Sequence, residues 1–199
     1  MKVDIFNTDK KYSIIYADPP WTYKCWSKKG GGSSAERHYK VMSKEDIQNI
    51  PIKKLSEKDC ILFLWVTMPN LEEGLELIKQ WGFTYKTCAF TWIKKCKKSD
   101  AYFFGNGYWT RANAELCLLA TKGKPKRISA SVRQVCDARV MEHSRKPDEI
   151  RDRIVKLCGD LPRIELFARQ YADGWDCWGD EAPDDTTTIP IETVEDCFK

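Results

Sequence analysis

The apolar positions of this 199-residue chain fall into short runs separated by polar, proline-marked or glycine-marked breaks. Tyr12-Ser13-Ile14-Ile15-Tyr16-Ala17 is one such run, stopped by Pro19-Pro20. Its length and β-branched content predict a buried strand. Residues 60–66 form an unbroken apolar run, the pattern of a strand covered on both faces. Residues 86–93 and 114–120 read as two more strands, and 163–168 as the last. Elsewhere the period changes from 2 to 3.6. Leu71, Leu75, Ile78 and Trp81 line one side of a predicted helix opened by Pro69 and closed by Gly82. Ile150, Ile154 and Leu157 do the same for a helix opened by Pro147 and closed by Gly159. Ser43, with Asp46 three residues on, marks an approximate capping box for a shorter helix holding Ile47 and Ile50.

Strands alternating with amphipathic helices predict an α/β fold, a mostly parallel sheet with helices on both faces. Ligands of such sheets collect at the carboxyl ends of the strands. That rule directs attention to Asp18, after the first strand, and to residues 165–169 at the last. Residues 27–35, including Gly30-Gly31-Gly32, read as a loop, and no Gly-Lys-Ser/Thr ending makes it a phosphate-binding loop. Residues 1–182 are expected to form one domain, and 183–199 an acidic, flexible tail.

Composition changes this picture in three respects. A hydrophobic share of 42% supports a core without staples, and no apolar stretch approaches the ~18 residues of a membrane span. With no secretory signal at Met1-Lys2-Val3, a cytoplasmic location is expected. The nine cysteines are scattered without a C-x-x-C pair and have only His38 and His143 for company. They read as free thiols, several buried, and no metal site is expected. Seven acids from Asp180 onward face only Lys199, so the first 179 residues carry +10 of a net +4. A basic body suits a polyanionic partner.

The candidate chemistry lies in Asp18-Pro19-Pro20-Trp21. Each proline fixes φ, and the residue before a proline is pushed to an extended conformation. The pair therefore makes a stiff ledge whose carbonyls are expected to lack a nearby N–H. Asp18 adds a carboxylate and Trp21 a flat apolar platform. Acceptors beside a stacking surface suit a planar group that donates hydrogen bonds, such as an amino-bearing base. The plainer alternative is a rigid turn with a core tryptophan.

The rest of the chain weighs against that alternative. It resembles the N6-adenine methyltransferase family that includes the catalytic subunit making N6-methyladenosine in eukaryotic messenger RNA. The resemblance is carried by Asp18-Pro19-Pro20-Trp21, Tyr39-Lys40-Val41-Met42-Ser43, Phe63-Leu64-Trp65-Val66-Thr67, and Trp81-Gly82-Phe83. It continues through Gly107-Tyr108-Trp109-Thr110-Arg111, Glu115, Lys122-Gly123-Lys124-Pro125, His143-Ser144-Arg145-Lys146-Pro147-Asp148-Glu149, and Ile164-Glu165-Leu166-Phe167-Ala168-Arg169. These stretches cover about residues 12 to 181 in the family's order.

The resemblance implies a Rossmann-like class I methyltransferase fold, permuted so that the reaction motif precedes the main cofactor-binding strand. It implies S-adenosylmethionine as cofactor, with Asp18, Pro19, Pro20 and Trp21 at the reaction centre. Lys146 would meet the cofactor's methionine carboxylate, and a lysine beside a helix N-terminus is by itself a natural anion site. Arg169 and Tyr171 would make ribose- or adenine-side contacts supported by Glu165, itself a strand-end carboxylate that needs a partner. The family often has His-Asn where this chain reads Tyr171-Ala172, and Asn-Gln or Asn-Glu where it reads Asp180-Glu181. Asp180 and Glu181 still offer acceptors for ribose hydroxyls. Asp4-Ile5 matches the family's adenine-contacting Asp-Ile pair, at a shorter spacing before the first strand.

Around the ledge, Tyr23 and Tyr39 are candidates for the base, with Trp26, Arg37 and His38 nearby in sequence. Lys94, Lys95 and Arg111 are candidates for phosphates, or else part of a solvated loop. Trp65, Trp81 and Trp92 read as core, and His143 as a residue ordering the loop before Lys146. The leading expectation is an enzyme methylating the N6 amino group of adenine in DNA, in a bacterial cell or phage-infected host. An RNA N6-adenosine methyltransferase is the alternative, and a catalytically silent nucleic-acid-binding subunit a third. A homodimer and a heterodimer both stay open.

Overall fold

A computed structural model of the chain describes residues 1–21, 42–107, 109–141, 145–180 and 182. Tyr23, Tyr39, Glu181, His143 and the expected tail lie outside them. The elements are β1 (Tyr12–Ala17), α1 (Lys44–Gln48), α2 (Ile52–Leu55), β2 (Ser56–Val66), a 3-10 turn (Met68–Asn70) leading into α3 (Leu71–Gln80), β3 (Thr84–Lys95), β4 (Glu115–Lys122), β5 (Val135–Arg139), α4 (Glu149–Cys158), β6 (Arg163–Leu166) and β7 (Asp176–Trp178). They form a mixed α/β structure around one seven-stranded sheet of order β5-β3-β4-β2-β1-β6-β7. β4 pairs antiparallel with β2 and β3, and the other neighbours pair parallel. The expected mostly parallel sheet is thus present, with β4 as the described strand that opposes the rest.

Side-chain parity sorts the core into two layers. Ile15, Ala17, Leu62, Leu64, Val66, Ile164 and Leu166 face α1, α2 and α3 and meet Ile47, Ile52, Leu77, Ile78 and Trp81. Ile14, Tyr16, Phe63, Trp65, Phe90, Trp92 and Cys117 face the other way, toward Ile150, Ile154 and Cys158 of α4. Helices on both faces and core positions for Trp65, Trp81 and Trp92 follow as expected.

Local signals place the helices. Ser43 Oγ accepts the Asp46 N–H at 3.0 Å and donates to the Asp46 carboxylate at 2.7 Å, so Ser43 caps the helix, with Asp46 returning to its hydroxyl where a full capping box uses the Ser43 backbone N–H. At the end of α3, Gly82 sits at φ +84°, with its N–H on Lys79 O and the Phe83 N–H on Ile78 O. That is a complete Schellman closure, which glycine adopts without steric cost. The buried stripe of α3 is Gly74, Leu77 and Ile78, with Leu71 and Leu75 only partly buried. Gly74 explains the rotation, because a Cβ there would overlap Val66 Cγ1 of β2. In α4, Cys158 completes the stripe in place of Leu157.

The last predicted strand stops early. Residue 167 leaves β6 with Phe167 at φ +62°, a left-handed conformation uncommon for a bulky residue. Cys60, Cys88, Cys96, Cys117, Cys136, Cys158 and Cys177 are thiols outside any disulfide, and burial pushes Cys60, Cys136 and Cys158 up to about 12. Among the described residues no group of three metal-ligating side chains converges, and no helix is long and apolar enough to cross a membrane.

Candidate active site

The carboxyl edge of the sheet gathers a line of charges, and strand parity decides which. Asp18 follows Tyr16 on the α4 face of β1, and Glu115 precedes Cys117 on the same face of β4. Because β4 runs antiparallel, its first residue arrives at the edge where β1 and β3 end. Lys94, two residues after Trp92, completes the row from β3.

Lys146 enters this row from the segment before α4. Its ammonium lies 2.7 Å from Asp18 Oδ2 and 3.2 Å from Glu115 Oε2, and sits 5.5 Å from the centre of the Trp65 ring. Lys94 Nζ pairs with the other oxygen of Glu115 and lies 5.1 Å from the Trp92 ring. These side chains are largely buried, Lys146 at 10% and Glu115 at 9% exposed. Burial alone would push Glu115 up; Lys146 and then Lys94 outweigh it and hold its carboxyl below the usual range. Burial likewise lowers Lys146, and Asp18 and Glu115 more than restore it, so the ammonium is held in its charged form. Alternating charges thus run Asp18, Lys146, Glu115, Lys94.

The two prolines carry the chain across the edge to the opposite face. Trp21 packs against the α1–α3 side of the core beside Met42, Ile47 and Leu77, lining a cavity of about 90 Å³. Its Nε1–H donates to Trp65 O at 2.8 Å, while the Trp65 Nε1–H donates to Tyr16 Oη at 2.7 Å. The ledge departs from expectation at one carbonyl. The Pro19 carbonyl does have a nearby donor, since the Trp21 N–H reaches it at 2.8 Å in a turn about Pro20. One lone pair of that oxygen is taken, and a second remains.

Glu165 has the partner its burial demands. Arg151 of α4 holds it with two bonds, Nε to Oε2 at 2.6 Å and Nη2 to Oε1 at 2.9 Å. Arg151 also reaches Asp148, which accepts from Gln170 at 2.9 Å. Desolvation still wins at Glu165 and raises its pKa despite Arg151. Sequence reading foresaw the need for a partner but not Arg151, which lies off the apolar stripe of α4.

The other expected cofactor contacts divide. Asp4 caps a tight turn, accepting from the Phe6 N–H and Asn7 Nδ2, and Ile5 is fully buried in the core. The strand-like pairing of Lys2 with Cys177 brings this turn to the carboxyl end of β7, where Phe6 and Phe167 both pack edge-on against Trp178. Asp180 is exposed just beyond. Arg169 is half-buried in the segment leaving β6. Tyr171 is placed elsewhere. It lines a cavity of about 430 Å³ at the amino edge with Lys10, Lys11, Tyr12 and Arg163, so this hollow and the charged row lie at opposite edges. The chemistry locates the site, and the volume does not. Of the phosphate candidates, Lys94 is drawn into the charged row, Lys95 pairs with Asp137 at 2.9 Å, and Arg111 is exposed.

Glu115 is the functional candidate given no role from the sequence. Its signals were its place among the family-matching stretches and its being a lone acid opening an apolar strand, and both gain meaning once β4 is known to run backwards.

The chain is 36% identical to the type II methyltransferase M.MunI of Mycoplasma sp., over 92% of this chain and 83% of that protein. It is 30% identical to the N(6)-adenosine-methyltransferase catalytic subunit METTL3 of Homo sapiens and 29% identical to the MT-A70-like N(6)-adenosine-methyltransferase of Arabidopsis thaliana. These cover 81% and 85% of this chain, which spans only about a quarter of either relative, 26% and 23%. The MT-A70 family model matches residues 12–181, from the first residue of β1 to just past β7. With the ledge, its lysine and the whole sheet inside that match, the chain belongs to the MT-A70 family of N6-adenine methyltransferases.

Proposed function

We propose that the chain transfers a methyl group from S-adenosylmethionine to the N6 amino group of adenine in DNA, using the Asp18 ledge. The observation that carries this reading is the ion pair between Asp18 and Lys146, residues 128 positions apart that meet at the carboxyl edge at 2.7 Å. DNA is favoured over RNA because M.MunI, a type II methyltransferase, is matched along most of its length.

The residues present fit the cofactor's chemistry. A buried ammonium, Lys146, suits a carboxylate, and the acceptors Asp4 and Asp180 beside Phe6, Phe167 and Trp178 suit an adenosine. Arg169 and Glu165 border that region, with Glu165 held in place by Arg151. When bound, the cofactor supplies an electrophilic methyl on a sulfonium. The fold class that goes with this chemistry is a permuted class I methyltransferase, in which β1 carries the reaction motif and β6 serves the cofactor.

The chain's own contribution is aim. The adenine amino nitrogen is a weak nucleophile because its lone pair is delocalised into the ring. Asp18 and the second lone pair of the Pro19 carbonyl accept its two N–H groups, which turns the nitrogen toward tetrahedral geometry and frees the lone pair. Lys146 fixes the Asp18 carboxylate, and Trp21, packed on the opposite face and tethered to Trp65 O, anchors the ledge and offers the base no platform. Orientation and preorganised charge carry such a step without a strong base. The base leaves its duplex to reach the ledge.

The test uses labelled S-adenosylmethionine with DNA or RNA, followed by digestion to nucleosides. Label in N6-methyldeoxyadenosine is expected, and label in adenosine alone would move the assignment to RNA. Asp18→Ala is expected to abolish transfer while cofactor binding stays measurable; undiminished transfer by this variant refutes the role of the ledge.

A further inference from the structure

The connection between β3 and β4, residues 96–114, leaves and re-enters the sheet beside the charged row, since Lys94 and Glu115 flank it. It carries Tyr102, Phe103, Phe104 and Trp109, all exposed, with Phe104 at 65% and Trp109 at 100%. Single exposed apolar residues need no explanation, but a cluster of large aromatics on one loop does.

This loop is built, not loosely strung. Asn113 accepts the Lys94 N–H at 2.9 Å and returns its amide N–H groups to Lys94 O and Phe103 O. The Phe103 N–H donates to Lys94 O, the Gly105 N–H to Ala112 O, and the Cys96 N–H to Ala101 O. These bonds tie the two arms of the loop together as far as Gly105 and Ala112, with Phe104 and Trp109 exposed beside that junction.

Charge selects the partner. Lys98 and Arg111 lie on the loop, and its one acid, Asp100, is paired with Arg139 at 3.0 Å. A second copy docking with this patch on the twofold axis would set it against itself, which like charges oppose. Unpaired bases flanked by phosphates supply what the patch lacks, π-faces for the rings and negative charge for the cations.

We propose that the β3–β4 connection is a stacking platform for the unpaired DNA next to the adenine held on the ledge. This rests on the methyltransferase reading for what the neighbouring base is doing. Base flipping leaves such unstacked nucleotides beside the target, and a ring surface bordering the site offsets the lost stacking.

The test measures binding of a fluorescein-labelled single-stranded oligodeoxynucleotide by anisotropy, using the full chain. Trp109→Ala with Phe104→Ala is expected to weaken binding roughly tenfold or more. S-adenosylmethionine affinity and thermal midpoint should stay unchanged, and Trp109→Phe should bind like the parent. Unchanged DNA affinity in the double alanine variant overturns the platform. So does loss confined to an RNA of the same sequence, or a shift from dimer to monomer in sedimentation without any effect on DNA. Methyl transfer by the parent is assayed separately. If transfer is absent while binding depends on the rings, the reaction assignment fails and the platform stands.

Discussion

Glu115 illustrates how one carboxylate couples the site to stability. Lys146 and Lys94 depress its pKa, so in the folded chain it keeps its charge to lower pH than in the unfolded one. A depressed carboxylate contributes stability above its ordinary value of 4.5, and the contribution is lost as pH falls through the lower folded value. Glu115→Gln is expected to cost of order 3 kcal/mol at neutral pH, because it leaves buried cations undercompensated. The gap to the parent in denaturant unfolding should shrink as the pH falls below that range. A gap constant down to strong acid would contradict the charged row. Asp18 and Lys146 were legible as residues, since a proline ledge and a lysine at a helix start announce themselves. Their direct pairing was not, because it depends on two segments meeting across the sheet.

At the scale of elements, close approach and paired burial decide what can change. Gly74 lets α3 lie against Val66, so Gly74→Val is expected to overpack the layer by about 1–3 kcal/mol. A drop in thermal midpoint of several degrees would register it. Arg151 clamps α4 to β6 through Glu165. Arg151→Met alone should cost about 3–5 kcal/mol by leaving a buried carboxylate alone, whereas Arg151→Met with Glu165→Leu should recover most of it. If both variants unfold at the same denaturant concentration, the clamp has no energetic role. The long strands and the capped helices were readable from period, prolines and glycines. Two strands and one helix were not. β5 is a five-residue edge strand whose exposed positions begin with Val135 and whose inward ones are only Cys136 and Ala138, β7 is three residues long, and α2 is a single turn. Such pieces exist through their neighbours, and local pattern carries too little to reveal them. Tyr171 shows the same limit for the site, since the return from β6 to β7 takes it to the amino edge.

For the whole molecule, charge distribution sets how DNA is met. With +10 on the first 179 residues, log Kd for DNA should rise linearly with log salt. Removing Lys98 or Arg111, if each meets one phosphate, should lower that slope by about one. A slope near zero for the parent would exclude a phosphate-led encounter.

The place of β1 in the sheet has a further consequence, for how the chain comes to exist. Its partners are β2, which follows within the first third of the sequence, and β6, which begins only at Arg163. During synthesis β1 is therefore released well before β6, with one flank open in the interval. Ile14 and Ile15 then stand beside unpaired amides, the arrangement that recruits stray strands from other nascent molecules. Until β6 emerges, β1 is an edge open to aggregation, and a shielding chaperone or swift translation of the intervening residues is expected to raise yield.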